Sequence, residues 1–78
     1  MSSDRIVITG NVLFGKPRIK GTRMSVEQVL ACLAQGWTEK KIIREFDLTS
    51  EDIKACIDFA YQSVSRTHVV RYFDKAYA

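Results

Sequence analysis

The sequence predicts a mainly α fold: three helices in a helix-turn-helix frame, preceded by a short N-terminal β element. Three observations predict it. The apolar pattern changes from a period of two to one of 3.6 near residue 25. Helix-capping residues then recur at Ser25, Thr38 and Thr49. The segments between the periodic stretches are short, as they are where consecutive helices pack on one another.

The front of the chain is read first. "RIVITG" is β-branched and apolar and stops at the turn-type pair Gly10-Asn11, which predicts a strand over Arg5 to Thr9. "VLFGKPRIK" predicts a second short strand, interrupted by Gly15 and Pro17, with Pro17 confined to an edge or a bend. Side chains alternate along a strand, so Arg18 and Lys20 are expected on one face and Ile19 on the other.

Ser25 and Gln28 have the form of a capping box, the hydroxyl serving one orphan amide while the Gln reaches back. Val26, Val29, Leu30 and Leu33 follow at i, i+3, i+4 and i+7, one stripe of a first helix. Gly36 is placed to end it in the left-handed conformation. Thr38 caps a second helix, "EKKIIREF", with Ile42, Ile43 and Phe46 inward. Thr49 caps a third, whose predicted inner stripe is Ile53, Cys56, Ile57, Ala60 and Val64. Ile42, Phe46, Leu48, Ile53 and Cys56 have the spacing by which two helices of a helix-turn-helix lock across their turn. Ile43 stands where a small residue is usual there, and Asp47 where Gly is usual. The chain thus divides into a β ribbon with a basic segment (1–24), a three-helix bundle (25–65) and a C-terminal tail (66–78) without a firm period.

Composition bounds the function. Seventy-eight residues, 46% hydrophobic and 27% charged, make one ordinary globular domain. A chain of this size gains only about 3–5 kcal/mol from its own core, which favours a homodimer. No apolar run reaches the ~18 residues of a membrane span and no signal core opens the chain, so the expected setting is cytoplasmic, with no membrane. Cys32 and Cys56 stand 24 apart beside a single histidine, which is neither a metal-ligand spacing nor a disulfide framework. Neither a metal nor a cofactor is expected. His68 has no partner at motif spacing and the carboxylates are scattered over helix faces, so the reading is of a protein that is not an enzyme.

Charge is unevenly placed within a net +3. Residues 1 to 23 hold Arg5, Lys16, Arg18, Lys20 and Arg23 against Asp4 alone, while residues 45 to 58 hold five anions against Lys54. Cations on one face of a β ribbon suit phosphate contact, which makes Lys16, Arg18 and Lys20 candidate DNA-binding residues; a plain solvated surface is the equal alternative. Lys40, Lys41 and Arg44, on the outer side of the second helix, extend that basic face. The third helix is a poor groove reader, because its first turn offers Ser50, Glu51 and Asp52, which complement a helix dipole and repel phosphate. Cys32 and Phe59 lie about 120° off the core stripes of their helices at 100° per residue. Phe59, with Tyr61, is therefore read as a self-association surface. Whether a second molecule or the chain's own tail covers it stays open.

"GKPRIKGTRMSVEQVLACLAQGWTEKKIIREFDLTSEDIKACIDFAY" resembles the bacterial family called domain of unknown function 433. Gly-Lys-Pro, Gly-Thr-Arg and Leu-Thr-x-Glu-Asp-Ile stand in order and at family spacing from about Gly15 to Tyr61. Asp47 departs from the pattern, where many relatives have Pro or His. The resemblance implies a homeodomain-like helix-turn-helix and an antitoxin of a type II toxin-antitoxin pair. Such a protein would bind and inhibit a PIN-like ribonuclease and repress its own operon through operator DNA. On that footing the tail residues Val69, Arg71, Tyr72, Phe73 and Lys75 are candidates to enter the toxin's acidic pocket. Gly21 is expected to permit a tight turn, Thr22 to bond locally, and Arg23 to pair with Glu51 or Asp52. The alternatives are a stand-alone nucleic-acid-binding transcriptional regulator and a structural dimerisation module.

Overall fold

A computed structural model of the protein describes residues 2–10 and 13–66. A single 3₁₀ turn, Ser2–Arg5, leads into strand β1 (Ile6–Val7); a second, Leu13–Gly15, precedes strand β2 (Arg18–Ile19). The strands pair antiparallel, Ile6 opposite Ile19 and Val7 opposite Arg18. The strand expected over Arg5 to Thr9 is therefore only two residues long. Its partner sets the limit: Pro17 has no amide hydrogen for the ladder, and Gly21, at φ 81°, turns the chain away just past Lys20.

That turn is fastened by Thr22, as the sequence predicts. Its amide and its hydroxyl both donate to the Ile19 carbonyl, at 3.0 and 2.8 Å, and its oxygen accepts from the Met24 amide at 3.1 Å. The chain then doubles back along β2, with the Ile19 amide on the Met24 carbonyl and the Val26 amide on the Pro17 carbonyl, both at 2.9 Å. The β element thus delivers the first helix at a fixed angle.

Helix α1 spans Val26–Ala34, α2 Glu39–Phe46 and α3 Ser50–Ser65. Ser25 and Gln28 form the predicted capping box. The end of α1 is a full Schellman motif around Gly36, at φ 95°: the Trp37 amide reaches the Cys32 carbonyl and the Gly36 amide the Leu33 carbonyl, each at 3.0 Å. Thr38 caps α2 through the Lys41 amide at 3.1 Å. At the far end of α2, Asp47 takes the left-handed conformation (φ 56°, ψ 48°) that a glycine commonly holds in this turn, and the Leu48 amide closes on the Ile43 carbonyl at 3.0 Å.

The core is one cluster: Ile19, Val26, Val29, Ile42, Leu48, Ile53 and Cys56, with Leu30, Leu33, Cys32, Trp37, Ile43 and Phe46 packed around it. Each fully buried Ile or Val contributes about 1.5–3 kcal/mol over its exposed state. β2 supplies Ile19 to this cluster, so the front of the chain is integral to the bundle.

Helix α3 departs from the predicted stripe. Ile53 and Cys56 are inward as expected, but Ile57 and Val64 are 47% and 54% exposed. Asp52 and Ala55 are buried in their stead, and Phe59 packs against the core. The inner face is therefore rotated by about one residue, because the Ser2–Arg5 turn covers α3 on that side. Phe59, expected at a self-association surface, belongs largely to its own subunit, and Cys32 likewise packs on the core.

Candidate interaction surfaces

The basic front is less available than its composition implies. Arg18 lies on the face opposite Ile19, as alternation requires, but its guanidinium turns onto its own subunit. Nη1 donates to the Thr22 carbonyl and Nη2 to Thr9 Oγ1, each at 3.1 Å, and Nε is buried without a partner. Arg18, expected to contact phosphate, thus also clamps the β turn within its own chain. Lys16 forms an exposed ion pair with Glu27 at 3.0 Å. Such a surface pair is worth about 0–1 kcal/mol, so Lys16 can exchange partners at little cost. The pair spans an open cleft of about 400 Å³ bordered by Leu13, Ser25, Gln28 and Ala31. Lys20 and Arg23 are exposed.

The expected pairing of Arg23 with Glu51 or Asp52 is not made. Arg5 Nη1 takes Asp52 Oδ1 at 3.0 Å instead, because the Ser2–Arg5 turn lies along α3 and brings Arg5 to its first turn. The other carboxylate oxygen, Oδ2, accepts the Thr49 amide at 3.0 Å, while Thr49 Oγ1 accepts the Asp52 amide at 3.2 Å. One buried aspartate thus closes a capping box and staples the N-terminus to α3. Glu51 stays exposed and, among the described residues, accepts a long bond from Ser50 Oγ, at 3.4 Å. This staple was legible in part: Asp52 is the N3 residue of a capping box begun by Thr49, a position whose side chain turns back toward the helix start.

On α2, Lys40 and Arg44 are exposed. Lys41 is exposed too, but its Nζ lies 4.3 Å from the centroid of the Trp37 ring, which stacks on Phe46 with centroids 5.8 Å apart and 14° between planes. The cation–π contact gives Lys41 an internal role at the α1–α2 joint. Six cations assigned to DNA from the sequence thus fall into two groups: Lys20, Lys40 and Arg44 are exposed and make no such tie among the described residues, while Lys16, Arg18 and Lys41 are engaged within the chain.

The outer face of α3 is different in kind. It presents Glu51, Lys54, Ile57, Tyr61 and Val64, and Tyr61 is 71% exposed. Tyr61, expected at a self-association surface, is exposed on this face. Val69, Arg71, Tyr72, Phe73 and Lys75 lie outside the described residues.

Neither thiol is disulfide-bonded. Burial, with the nearby Asp52 charge adding to it, pushes the Cys56 thiol up to about 11, so it stays protonated and unreactive at neutral pH. Among the described residues, no three of His, Cys, Asp and Glu converge as a metal site, and no helix is long and apolar enough to cross a membrane.

Fold and surfaces together define a small trihelical domain with a β front and an exposed apolar helix face. The chain belongs to the family described as Protein of unknown function (DUF433), which it matches over residues 6–60. It is similar to the crystal structure of a DUF433 member protein from Anabaena variabilis, with a TM-score of 0.74 and 32% sequence identity. That likeness covers 80% of this chain and 62% of the Anabaena protein, so the chain spans less than two thirds of its neighbour's length. No curated protein matches.

Proposed function

We propose that the chain is the antitoxin of a bacterial type II toxin-antitoxin pair, a cytoplasmic and homodimeric protein that binds and inhibits a PIN-like ribonuclease. The observation that carries this reading is the character of α3. In a helix-turn-helix frame this helix would face a DNA groove, yet its outer face offers Ile57, Tyr61 and Val64 with Lys54 as its one cation. An apolar and aromatic face suits a protein partner and answers no phosphate.

The tail continues from α3, and its Arg71 and Lys75 are suited to neutralise the carboxylates of a nuclease metal pocket, with Tyr72, Phe73 and Val69 as apolar anchors. Co-purification with the nuclease, followed by deletion of residues 66 to 78, tests the reading. Binding is expected to be lost, and inhibition undiminished by the deletion would dismiss the tail's role. Sedimentation of the intact chain tests the homodimer.

A second reading, operator or other nucleic-acid binding, is favoured by the exposed Lys20, Lys40 and Arg44. If each met a phosphate in both subunits of a dimer, log K against log salt would fall with a slope of about −5, from roughly −0.9 per contact. A flat response removes DNA from the function.

A further inference from the structure

The N-terminal segment is tied to the helical body at points that the body does not need for its own integrity. β2 is held on both edges. β1 lies on one, and the returning chain on the other, through the Ile19 amide on the Met24 carbonyl at 2.9 Å and a bridge between Arg18 and Ser25. Losing β1 therefore leaves β2 paired. β1 itself meets β2 over two residue pairs, and the Lys20 amide adds a bond to the Arg5 carbonyl at 2.7 Å.

The staple to α3 has the same character. The Arg5 side chain is 47% exposed, so water screens its pair with Asp52 and the tie is weak. Arg5 uses Oδ1 of Asp52, whereas the capping box with Thr49 uses Oδ2 and the Asp52 amide. The start of α3 thus survives the loss of Arg5. The buried cluster is drawn from β2, the helices and Leu48, and the N-terminal segment adds the half-buried Ile6 to it. A segment with so few buried apolar contacts opens at a lower free energy than the whole fold.

The Ser2–Arg5 turn covers something specific. Asp52, Ala55 and Phe59 stand at i, i+3 and i+7 on the side of α3 along which it lies, with Asp52 and Ala55 only 8% and 0% exposed. We propose that residues 2–7 form a strap that lifts from α3 as one unit while the helical body stays folded, baring Asp52, Ala55 and Phe59. The face so bared, a carboxylate beside apolar side chains, is closed in the resting protein, unlike the side of α3 that always shows Ile57 and Tyr61. The strap is independent of the nuclease and nucleic-acid readings.

Amide hydrogen exchange of the full chain, followed by NMR across a urea series, tests it at two neighbouring residues. The Lys20 amide is bonded to the strap and the Ile19 amide to the body. Relative to its intrinsic rate, Lys20 is expected to exchange at least about tenfold faster than Ile19. Its dependence on urea is shallower, because the slope follows the surface exposed on opening. Ile42→Val, a small cut in the fully buried core, speeds Ile19 about fivefold and leaves Lys20 unchanged, since the body is still packed when the strap lifts. Arg5→Ala breaks a tie lost in both openings and speeds both amides about fivefold. One protection factor and one urea slope for both amides, or an equal response of both to Ile42→Val, makes the chain a single cooperative unit and overturns the proposal. So does a Lys20 rate that Arg5→Ala leaves unchanged, which confines the motion to the turn at Gly21.

Discussion

Asp52 gives the most direct test of how this fold is held. It is 8% exposed and its carboxylate accepts two bonds, from the Thr49 amide and from Arg5 Nη1, each at 3.0 Å. Asp52→Ala removes the return arm of a capping box, about 1 kcal/mol. It also removes the ion pair to Arg5. The Arg5 side chain is 47% exposed, so solvent screening holds that pair to about 1 kcal/mol rather than the larger value of a buried one. The total is about 2 kcal/mol. With an unfolding entropy of about 2.1 cal/mol/K per residue, 78 residues give roughly 0.16 kcal/mol/K, and the melting temperature is expected to fall by about 12 °C.

Thermal unfolding followed by circular dichroism measures the fall, and a double-mutant cycle apportions it. Arg5→Ala alone is expected to cost about 1 kcal/mol, and Asp52→Asn, which retains an acceptor for Thr49, less than Asp52→Ala. The coupling between positions 5 and 52 should be about 0.5–1 kcal/mol. A melting temperature within about 3 °C of the parent for Asp52→Ala, or additive effects at the two positions, would refute the staple.

Other outcomes follow from the same structure. Asp47 occupies the left-handed region at φ 56°, so Asp47→Gly should stabilise by about 0.5–1 kcal/mol and Asp47→Val should destabilise, as read by urea titration. The Cys56 thiol, raised from 9.0 to about 11, keeps its proton in the folded chain where the unfolded chain has lost it. Its contribution is complete below pH 9 and is lost as pH climbs through about 11, a fall of about 2–3 kcal/mol that Cys56→Ala should flatten. A thiol reagent should modify the half-buried Cys32 in the native protein and reach the buried Cys56 only on unfolding, which intact mass measures as one adduct and then two. Arg18→Lys keeps the charge but loses the planar fork to Thr22 and Thr9; a drop in melting temperature with any nucleic-acid affinity unchanged would mark Arg18 as the clamp described above.

The helices were legible because their boundaries are local chemistry. Ser25 with Gln28, Thr38 and Thr49 each satisfy amides within three residues, and Gly36 closes α1 by a backbone conformation that its lack of a side chain makes easy. The face of α3 was not legible, because it depends on what arrives from outside the helix. Periodicity treats Ile57 and Phe59 as equivalent hydrophobes on neighbouring sides; the Ser2–Arg5 turn decides that Phe59 goes in and Ile57 stays out. The ion-pair partner of Asp52 failed for the same reason. Arg5 and Arg23 are both cations of the N-terminal segment, and only the path of the chain between β1 and α1 shows which one reaches α3. The side-chain direction of Arg18 followed from alternation, but its bonds to Thr22 and Thr9 required the turn at Gly21.

Trp37 is the only tryptophan in the chain, wedged between α1 and α2 with Phe46 flat against it and the Lys41 ammonium above. The protein therefore carries its own optical gauge at one joint. Emission will register the loosening of α2, including any ligand that draws Lys41 off the ring, and will stay silent to events at the far end of α3. A titration that leaves the tryptophan signal flat therefore places binding away from the α1–α2 joint, with no added label.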